Sequence, residues 1–342
     1  MVAGAGAHDF RLYFNTPPPA GLFPASPHLN YRVIPWPRLW THARLSLELT
    51  RYRPDVLFVP SHVLPLICPV PAVVTVHDLG YLAYPEAHGR FDRWYLDWST
   101  RRHTRVAAHL LTDSEATRQD LIRHYSADPN HITVVYPGLD PAFRPIDDPN
   151  QLAAVRSRYG IHSEYVIHVG TLQPRKNLHR LLDAFERLPN TQYPIPNTQL
   201  IFAGKPGWQI DDLVARATAM TDRVRLLGHV DQQDLPALIS SARALAMPSL
   251  YEGFGFPVLE AMACGTPVVA SNVSSLPEVA GDAALLVDPH DTDALADALA
   301  HILTDEDLRA ELRRRGLQRA RQFTWQRAAQ QTLTILESVA GT

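Results

Sequence analysis

The sequence predicts an α/β protein made of two doubly wound domains, each a parallel sheet covered by helices. Three observations carry the prediction. Short β-branched runs alternate with helical stretches along most of the 342 residues. Those runs are continuously apolar rather than alternating, which marks strands buried on both faces. A stretch rich in proline, glycine and aspartate, 136–149, has no hydrophobic period and divides the series in two. The length also exceeds what one growing core sustains.

Composition narrows the function classes. Hydrophobic residues make up 46% and charged residues 20%, the balance of a water-soluble globule. A formal charge of −3 exerts no long-range pull on nucleic acid, so no nucleic-acid partner is expected. No apolar run nears the roughly 18 residues that span a bilayer. The first ten residues lack the charged start and apolar segment of a signal peptide. Cys68 and Cys264 form neither a metal spacing nor a disulfide framework, as suits a reducing cytoplasm. A cytoplasmic, soluble protein is therefore expected. Of its 32 basic residues only Lys176 and Lys205 are lysine. Codon bias explains the arginines, and a lysine kept against that bias hints at a need for a compact ammonium.

In the N-terminal half, strands are expected at 11–14, 31–34, 56–59, 73–76, 109–112 and 133–135, with helices at 40–51, 91–108 and 114–124. Ser114 is a suitable cap for the last of these. Ligands of open α/β sheets gather beyond the carboxyl ends of strands. Here those ends are Pro60-Ser61-His62, His77-Asp78 and Asp113-Ser114. His77-Asp78 reads either as an imidazole and a carboxylate at a cleft, or as a turn in which Asp78 bonds its own backbone. Residues 81–105 mix aromatics (Tyr84, Phe91, Trp94, Tyr95, Trp98) with arginines (Arg90, Arg93, Arg101, Arg102, Arg105). That is either a surface for a membrane or an anionic lipid-linked acceptor, or a helix with one packed and one solvated face. Ahead of 11–14 no strand–glycine loop–helix unit is legible, and Gly4 and Gly6 carry no such signal.

The second series has strands at 165–169, 200–203, 224–227, 244–247, 268–270 and 284–287. Helices follow at 177–188, 211–219, 233–240, 256–264 and 292–303, and the tail, 305–339, reads as helical throughout. PNTQ at 189–192 recurs at 196–199, a duplication in a surface loop. The arginines of the tail share their helix with acids and read as a solvated face.

Residues 248–267, PSLYEGFGFPVLEAMACGTP, join two apolar runs. Gly253-Phe254-Gly255 makes a bend, and a helix opens near Pro257 and closes at Gly265. Glu252 stands before the bend and Glu260 in the second helical turn. Such a bend presents backbone N–H groups and a helix N-terminus at a strand end, where an anion is well received. The expected strand 165–169 also ends in a loop, Gly170-Thr171-Leu172-Gln173-Pro174-Arg175-Lys176-Asn177. Two cations are unfavourable at the positive end of a helix dipole, so an anion is expected between them, and a diphosphate suits. No strand-linked G-x-G-x-x-G with a downstream acid occurs, which sets aside a nicotinamide-dependent oxidoreductase.

The run from Glu252 to Ser271, with seven residues between Glu252 and Glu260, resembles the signature of retaining glycosyltransferases of family 4. GTLQPRKNL (170–178), VTVHD (74–78) and YPG (136–138) resemble further stretches of that family, and the likeness covers roughly residues 55–330. It implies a GT-B architecture, two Rossmann-like domains facing across a cleft. Residues 1–145 would form the acceptor side and 146–322 the nucleotide-sugar side, with 323–342 a last helix crossing back. By the same resemblance Glu260 would bind ribose hydroxyls and Glu252 sugar hydroxyls. The amides of Gly253, Phe254 and Gly255 would hold the sugar or phosphate. Arg175 and Lys176 would neutralise the leaving diphosphate without a metal, and His77 would reach the transferred sugar from the other domain. Thr171, in the donor loop, stands where many members carry arginine, and Arg175 is expected to substitute.

The PRKN variant resembles mannosyltransferase-like members. It implies GDP-mannose as co-substrate, and the family a glycan or lipid-linked acceptor with no bound cofactor. With the cytoplasm read from composition and the 81–105 surface, the expected place is the cytoplasm, at the inner face of the membrane. Members usually begin with a strand and glycine-rich loop. Without that unit the first sheet would lack a central strand, leaving the alternative of a catalytically impaired sugar-nucleotide-binding protein.

Overall fold

The computed structural model describes residues 8–23, 25–36, 39–61, 63–188, 197–220 and 222–341. Gly4, Gly6, His62 and most of the duplicated loop, 189–196, lie outside the described residues.

The chain opens with β1 (Phe10–Phe14) and β2 (Leu29–Val33), followed by α1 (Ser46–Arg51), entered through a π-helical turn. Next come β3 (Leu57–Val59), β4 (Ala72–Val76), α2 (Gly80–Ala83), α3 (Arg90–Val106), β5 (His109–Thr112), α4 (Glu115–Tyr125) and β6 (Ile132–Val134). Strands β3 to β6 form one parallel sheet in chain order. β1 and β2 pair in parallel as a sheet of their own, and among the described residues no ladder joins β1 to β3. The N-terminal strands are therefore not one continuous sheet.

The β-branched runs behave as their continuity predicts. Val73 and Val74 point to opposite faces of β4, and both are fully buried. Val74, Val76 and Leu110 pack with Leu49, Leu57 and Leu121 on one face. On the other, Val73 and Leu111 meet Ala328, Leu336 and Val339, which arrive from the end of the chain.

The 136–149 connection runs straight into a helix that the sequence reading missed, α5 (Pro149–Arg158). Pro149 is not the end of a linker but the first helical residue, and the Asp148 side chain caps it by accepting from Asn150 N. Only Val155 of α5 is fully buried, too little to leave a period in the sequence. There follow β7 (Glu164–Val169), α6 (Leu178–Arg187), β8 (Thr198–Ala203), α7 (Asp211–Ala219), β9 (Val224–Gly228), α8 (Leu235–Ser240) and β10 (Ala244–Met247). The chain ends with α9 (Phe256–Cys264), β11 (Val268–Ser271), α10 (Leu276–Ala280), β12 (Leu285–Val287), α11 (Thr292–Thr304), α12 (Glu306–Ala320) and α13 (Trp325–Ala340).

The second sheet is parallel and six-stranded, in the order β12-β11-β10-β7-β8-β9. From β7 the chain winds to one side, and from β10 to the other. β7 and β10 are thus the neighbours at which the winding reverses, the crevice where such sheets bind ligands. The tail is not helical throughout. It breaks between α12 and α13, where Phe323 is buried and Thr324 caps α13. That break turns α13 back onto the first domain's sheet.

Candidate functional site

Because β7 and β10 lie side by side and parallel, the loops leaving their carboxyl ends meet. Leu250 N donates to Arg175 O at 2.8 Å and ties them together. Pro174–Lys176 make one 3-10 turn, and Asn177 then takes a left-handed φ of 58°. The Asn177 amide donates to Pro248 O at 3.1 Å and Pro289 O at 2.7 Å, which fixes the turn. So held, Lys176 points inward. Its Nζ donates to Glu252 Oε1 at 2.6 Å, and Arg175 Nη1 donates to Glu252 Oε2 at 2.8 Å.

Glu252 is 6% exposed and Lys176 5%. Burial pushes the Glu252 carboxyl up, but the charges of Lys176 and Arg175 outweigh it and hold the group below the usual carboxylate range. The anion expected between the two cations is, in this structure, Glu252 itself. One carboxylate faces two cations, so the cluster carries a positive surplus. Beneath it His168 donates from Nδ1 to Ala246 O at 2.9 Å. Burial first, and the Lys176 charge second, pull its imidazole down to about 4, so it adds no charge.

The bend that follows is shaped by its glycines. Gly255 has a φ of 106°, which an L side chain rarely adopts. At Gly253 a Cβ would lie 2.7 Å from both His77 O and Asp78 Cβ, so only glycine lets the bend meet the first domain this closely. Ser275 Oγ donates to Glu252 O at 3.0 Å and Phe254 O at 2.7 Å, holding the bend from behind. The Phe254 ring turns away into a cluster with Tyr136, Phe256 and Phe323, so at the bend Phe254 presents its backbone.

Across the cleft, the two readings of His77-Asp78 divide. Asp78 Oδ1 accepts from Gly80 N at 2.8 Å, a strand-ending turn. His77 instead pairs with Asp113: its Nδ1 donates to Asp113 Oδ2 at 2.6 Å, and its Nε2 donates to Pro60 O at 2.9 Å. Both ring nitrogens face acceptors, an arrangement that suits the imidazolium. The Asp113 hydrogen bond accordingly raises the His77 pKa, outweighing burial. Asp113 had a signal in the sequence. Val76 and Thr112 are partners in the β4–β5 ladder, so the residues after them, His77 and Asp113, are neighbours.

Two further residues that the sequence reading passed over join the domains. Tyr251 OH accepts from Leu79 N at 3.0 Å and donates to Asp120 Oδ2 at 3.2 Å. Glu278 accepts from Glu115 N at 2.8 Å and Ala116 N at 3.2 Å, the first amides of α4, and from Tyr136 OH at 3.2 Å. A cavity of about 210 Å³ lies between the domains here, lined by Leu79, Leu82, Ala83, Asp120, His124 and Tyr251. A larger concavity of about 420 Å³, lined in part by Pro149, Arg156 and His162, contains none of the strand-end residues.

Not every expected residue joins the ion cluster. Glu260 sits on α9 and accepts no hydrogen bond from the described residues. Burial, then the charge of Asp140, lift its carboxyl to about 7. Thr171 is exposed on the β7 loop. Among the described residues no three or more His, Cys, Asp and Glu side chains gather to hold a metal. The assembled features are a buried, positively surplus cluster and an amide-rich bend at a winding reversal, with His77 and Asp78 of the other domain packed against the bend. Such a site can hold an anionic group and stabilise negative charge that develops on it.

Known proteins share this plan. The family model for glycosyl transferases group 1 matches residues 156–319, and that for glycosyltransferase family 4 matches residues 4–143. O-antigen chain mannosyltransferase B of Escherichia coli is 38% identical over 269 residues, covering 77% of this chain and 69% of that protein. D-inositol 3-phosphate glycosyltransferase of Corynebacterium glutamicum is 35% identical over 237 residues, covering 66% of this chain and 56% of that protein. The match thus spans little more than half of that second relative. Among solved structures, Anabaena Alr3699/HepE in complex with UDP-glucose is similar in fold, with a TM-score of 0.71 over 90% of this chain and 86% of that one, at 22% identity.

Proposed function

Since the chain belongs to the glycosyl transferases of group 1, in glycosyltransferase family 4, we propose that it moves a mannosyl group from GDP-mannose to a glycan or lipid-linked acceptor with retention of configuration. The fold is GT-B, two α/β domains facing across a cleft. The observation that carries the reading is the Glu252–Lys176–Arg175 cluster at the reversal between β7 and β10, beside a bend packed against the backbone of His77. Mannose is favoured by the first of the two relatives above, and GDP as carrier by the sequence of the Arg175 loop.

Cleavage of the anomeric bond leaves a nucleoside diphosphate, so stabilising the departing charge is the main task. The positive surplus on Arg175 and Lys176 is matched to it, with the amides of Gly253 to Gly255 alongside. In this reading no metal ion takes part. Glu260 receives the ribose hydroxyls, Glu252 the sugar hydroxyls, and His77 faces the sugar from the acceptor side. A pair of carboxylates flanking the bond, as a retaining glycosidase requires, has no counterpart in this assignment. The acceptor enters by the inter-domain cavity beside Tyr251, and closure of the domains limits loss of the donor to water. The reaction takes place in the cytoplasm, at the inner face of the membrane. No helix of the described residues is long and apolar enough to cross a bilayer.

The separate β1–β2 sheet favours a second reading, a sugar-nucleotide-binding protein impaired in catalysis. One experiment separates the two. A ligand that binds only the folded state raises the unfolding midpoint by mass action. The proposal expects GDP-mannose to stabilise the protein more than UDP-glucose or ADP-glucose do, and to be consumed. Stabilisation without turnover supports the second reading. No stabilisation by any of the three overturns both.

A further inference from the structure

Helix α3 is amphipathic in the unusual sense. It buries Ser99, Thr100 and His103, while Phe91 is 72% exposed and Trp94 59%. Large aromatics normally take the buried side of a helix and polar residues the wet one. The inversion extends beyond one helix. The Phe91 and Trp94 rings lie 5.8 Å apart, and Trp94 stacks on Trp98 at 6.4 Å, so the aromatics form a ladder along α3. Tyr95 OH meets His42 Nε2 at 2.6 Å, which joins the ladder to the turn leading into α1. Ser46 Oγ accepts from Ile67 N at 3.2 Å, and Arg102 Nη2 donates to Leu66 O at 2.8 Å. These bonds draw three further exposed residues into the same face: Leu47 at 61%, Leu66 at 51% and Ile67 at 61%.

The charge beside this patch is one-sided. α3 carries five arginines against two aspartates, in a chain whose formal charge is −3. Arg90, Arg93, Arg101 and Arg105 are exposed. An exposed contiguous apolar patch rimmed by like charge marks a binding surface. Aromatic side chains with adjoining arginines fit the boundary between acyl chains and anionic headgroups. The chain leading into α3 starts beside the cleft. Tyr84, shortly before α3, lies within reach of the charges of Arg175 and Glu252.

We propose that the face formed by α3, α1 and the 64–67 loop docks on an anionic lipid bilayer and holds the cleft against the membrane surface. The proposal deepens the reading of a glycosyltransferase acting at the membrane and rests on that reading for its purpose, but not for its test. The test is cosedimentation of the full chain with phosphatidylglycerol-containing vesicles and with phosphatidylcholine-only vesicles.

The wild-type chain is expected to bind the anionic vesicles, and to lose binding in high salt. R93E/R101E and F91S/W94S should each lower the vesicle-bound fraction about tenfold or more. Both variants should keep the unfolding midpoint and the shift produced by GDP-mannose. Equal binding to both kinds of vesicle, no binding to either, or binding indifferent to both variants would overturn the proposal. So would a wild-type dimer that F91S/W94S converts to monomer without vesicle binding, which would assign the patch to a second copy of the chain. Vesicle binding without any donor-induced shift would leave the docking face standing and remove the donor assignment.

Discussion

Glu252 and Glu260 are the same residue type, one helix opening apart, and their environments drive them in opposite directions. Both are desolvated. Two cations reverse the effect at Glu252, whereas Asp140 adds to it at Glu260 and its carboxyl rises to about 7. The sign for stability follows. A carboxyl whose folded pKa lies above its unfolded value near 4.5 binds its proton more tightly in the folded state. It favours the fold below about pH 4.5, and that contribution is lost as pH rises through 7. Glu260→Gln, neutral at every pH, should therefore match the wild type at pH 4.5 and exceed its stability by about 1–3 kcal/mol at pH 8. Urea unfolding of both proteins at the two pH values measures this. A gap that does not change with pH would show that Glu260 is not desolvated. Glu252, Arg175 and Lys176 were legible in the sequence because cations at a helix start and a carboxylate before a glycine bend are local patterns. Asp113 was harder to see, since its partner His77 comes from the neighbouring strand and depends on the ladder register.

At the scale of elements, the two domains meet through a short helix seated on the end of a longer one. α10 presents Glu278 to the first two amides of α4, which lack partners within their own helix. A carboxylate there also complements the positive end of the α4 dipole. Hydrogen bonds to a charged group are worth about 1.5–3 kcal/mol each. Glu278→Ala should loosen the domains without unfolding either one. Small-angle scattering should show a larger radius of gyration, and donor turnover should fall several-fold because closure is impaired. An unchanged radius together with unchanged turnover would remove Glu278 from the clamp. α10 left no trace in the sequence reading, because five residues are too few to show a period. α5 escaped notice for a related reason, having one fully buried residue in ten. The parallel strands were far easier to find. Ala244–Met247 and Ala72–Val76 are buried at every position, and that continuity is written in their side chains.

The whole molecule is organised by which strands become neighbours, and pairing is not a local property. The sequence shows two βα series, but not that β1 and β2 stand apart from β3 to β6, nor that α13 covers the face holding Val73 and Leu111. Both features bear on the proposed site, because His77 leaves the end of β4 and its position depends on that sheet. Glu252, Lys176 and Arg175 come from the other sheet, and the apposition of Gly253 with His77 and Asp78 brings the two halves together. The central claim is that this composite site releases a sugar from its diphosphate on the leaving-group face. The most direct measurement is the anomeric configuration of the mannose first released from GDP-mannose by the purified chain, followed by proton NMR before mutarotation. The prediction is α-mannose first, with release at least tenfold slower in Lys176→Ala, about 1.4 kcal/mol or more in barrier. β-Mannose first, or equal rates in the two proteins, would contradict it.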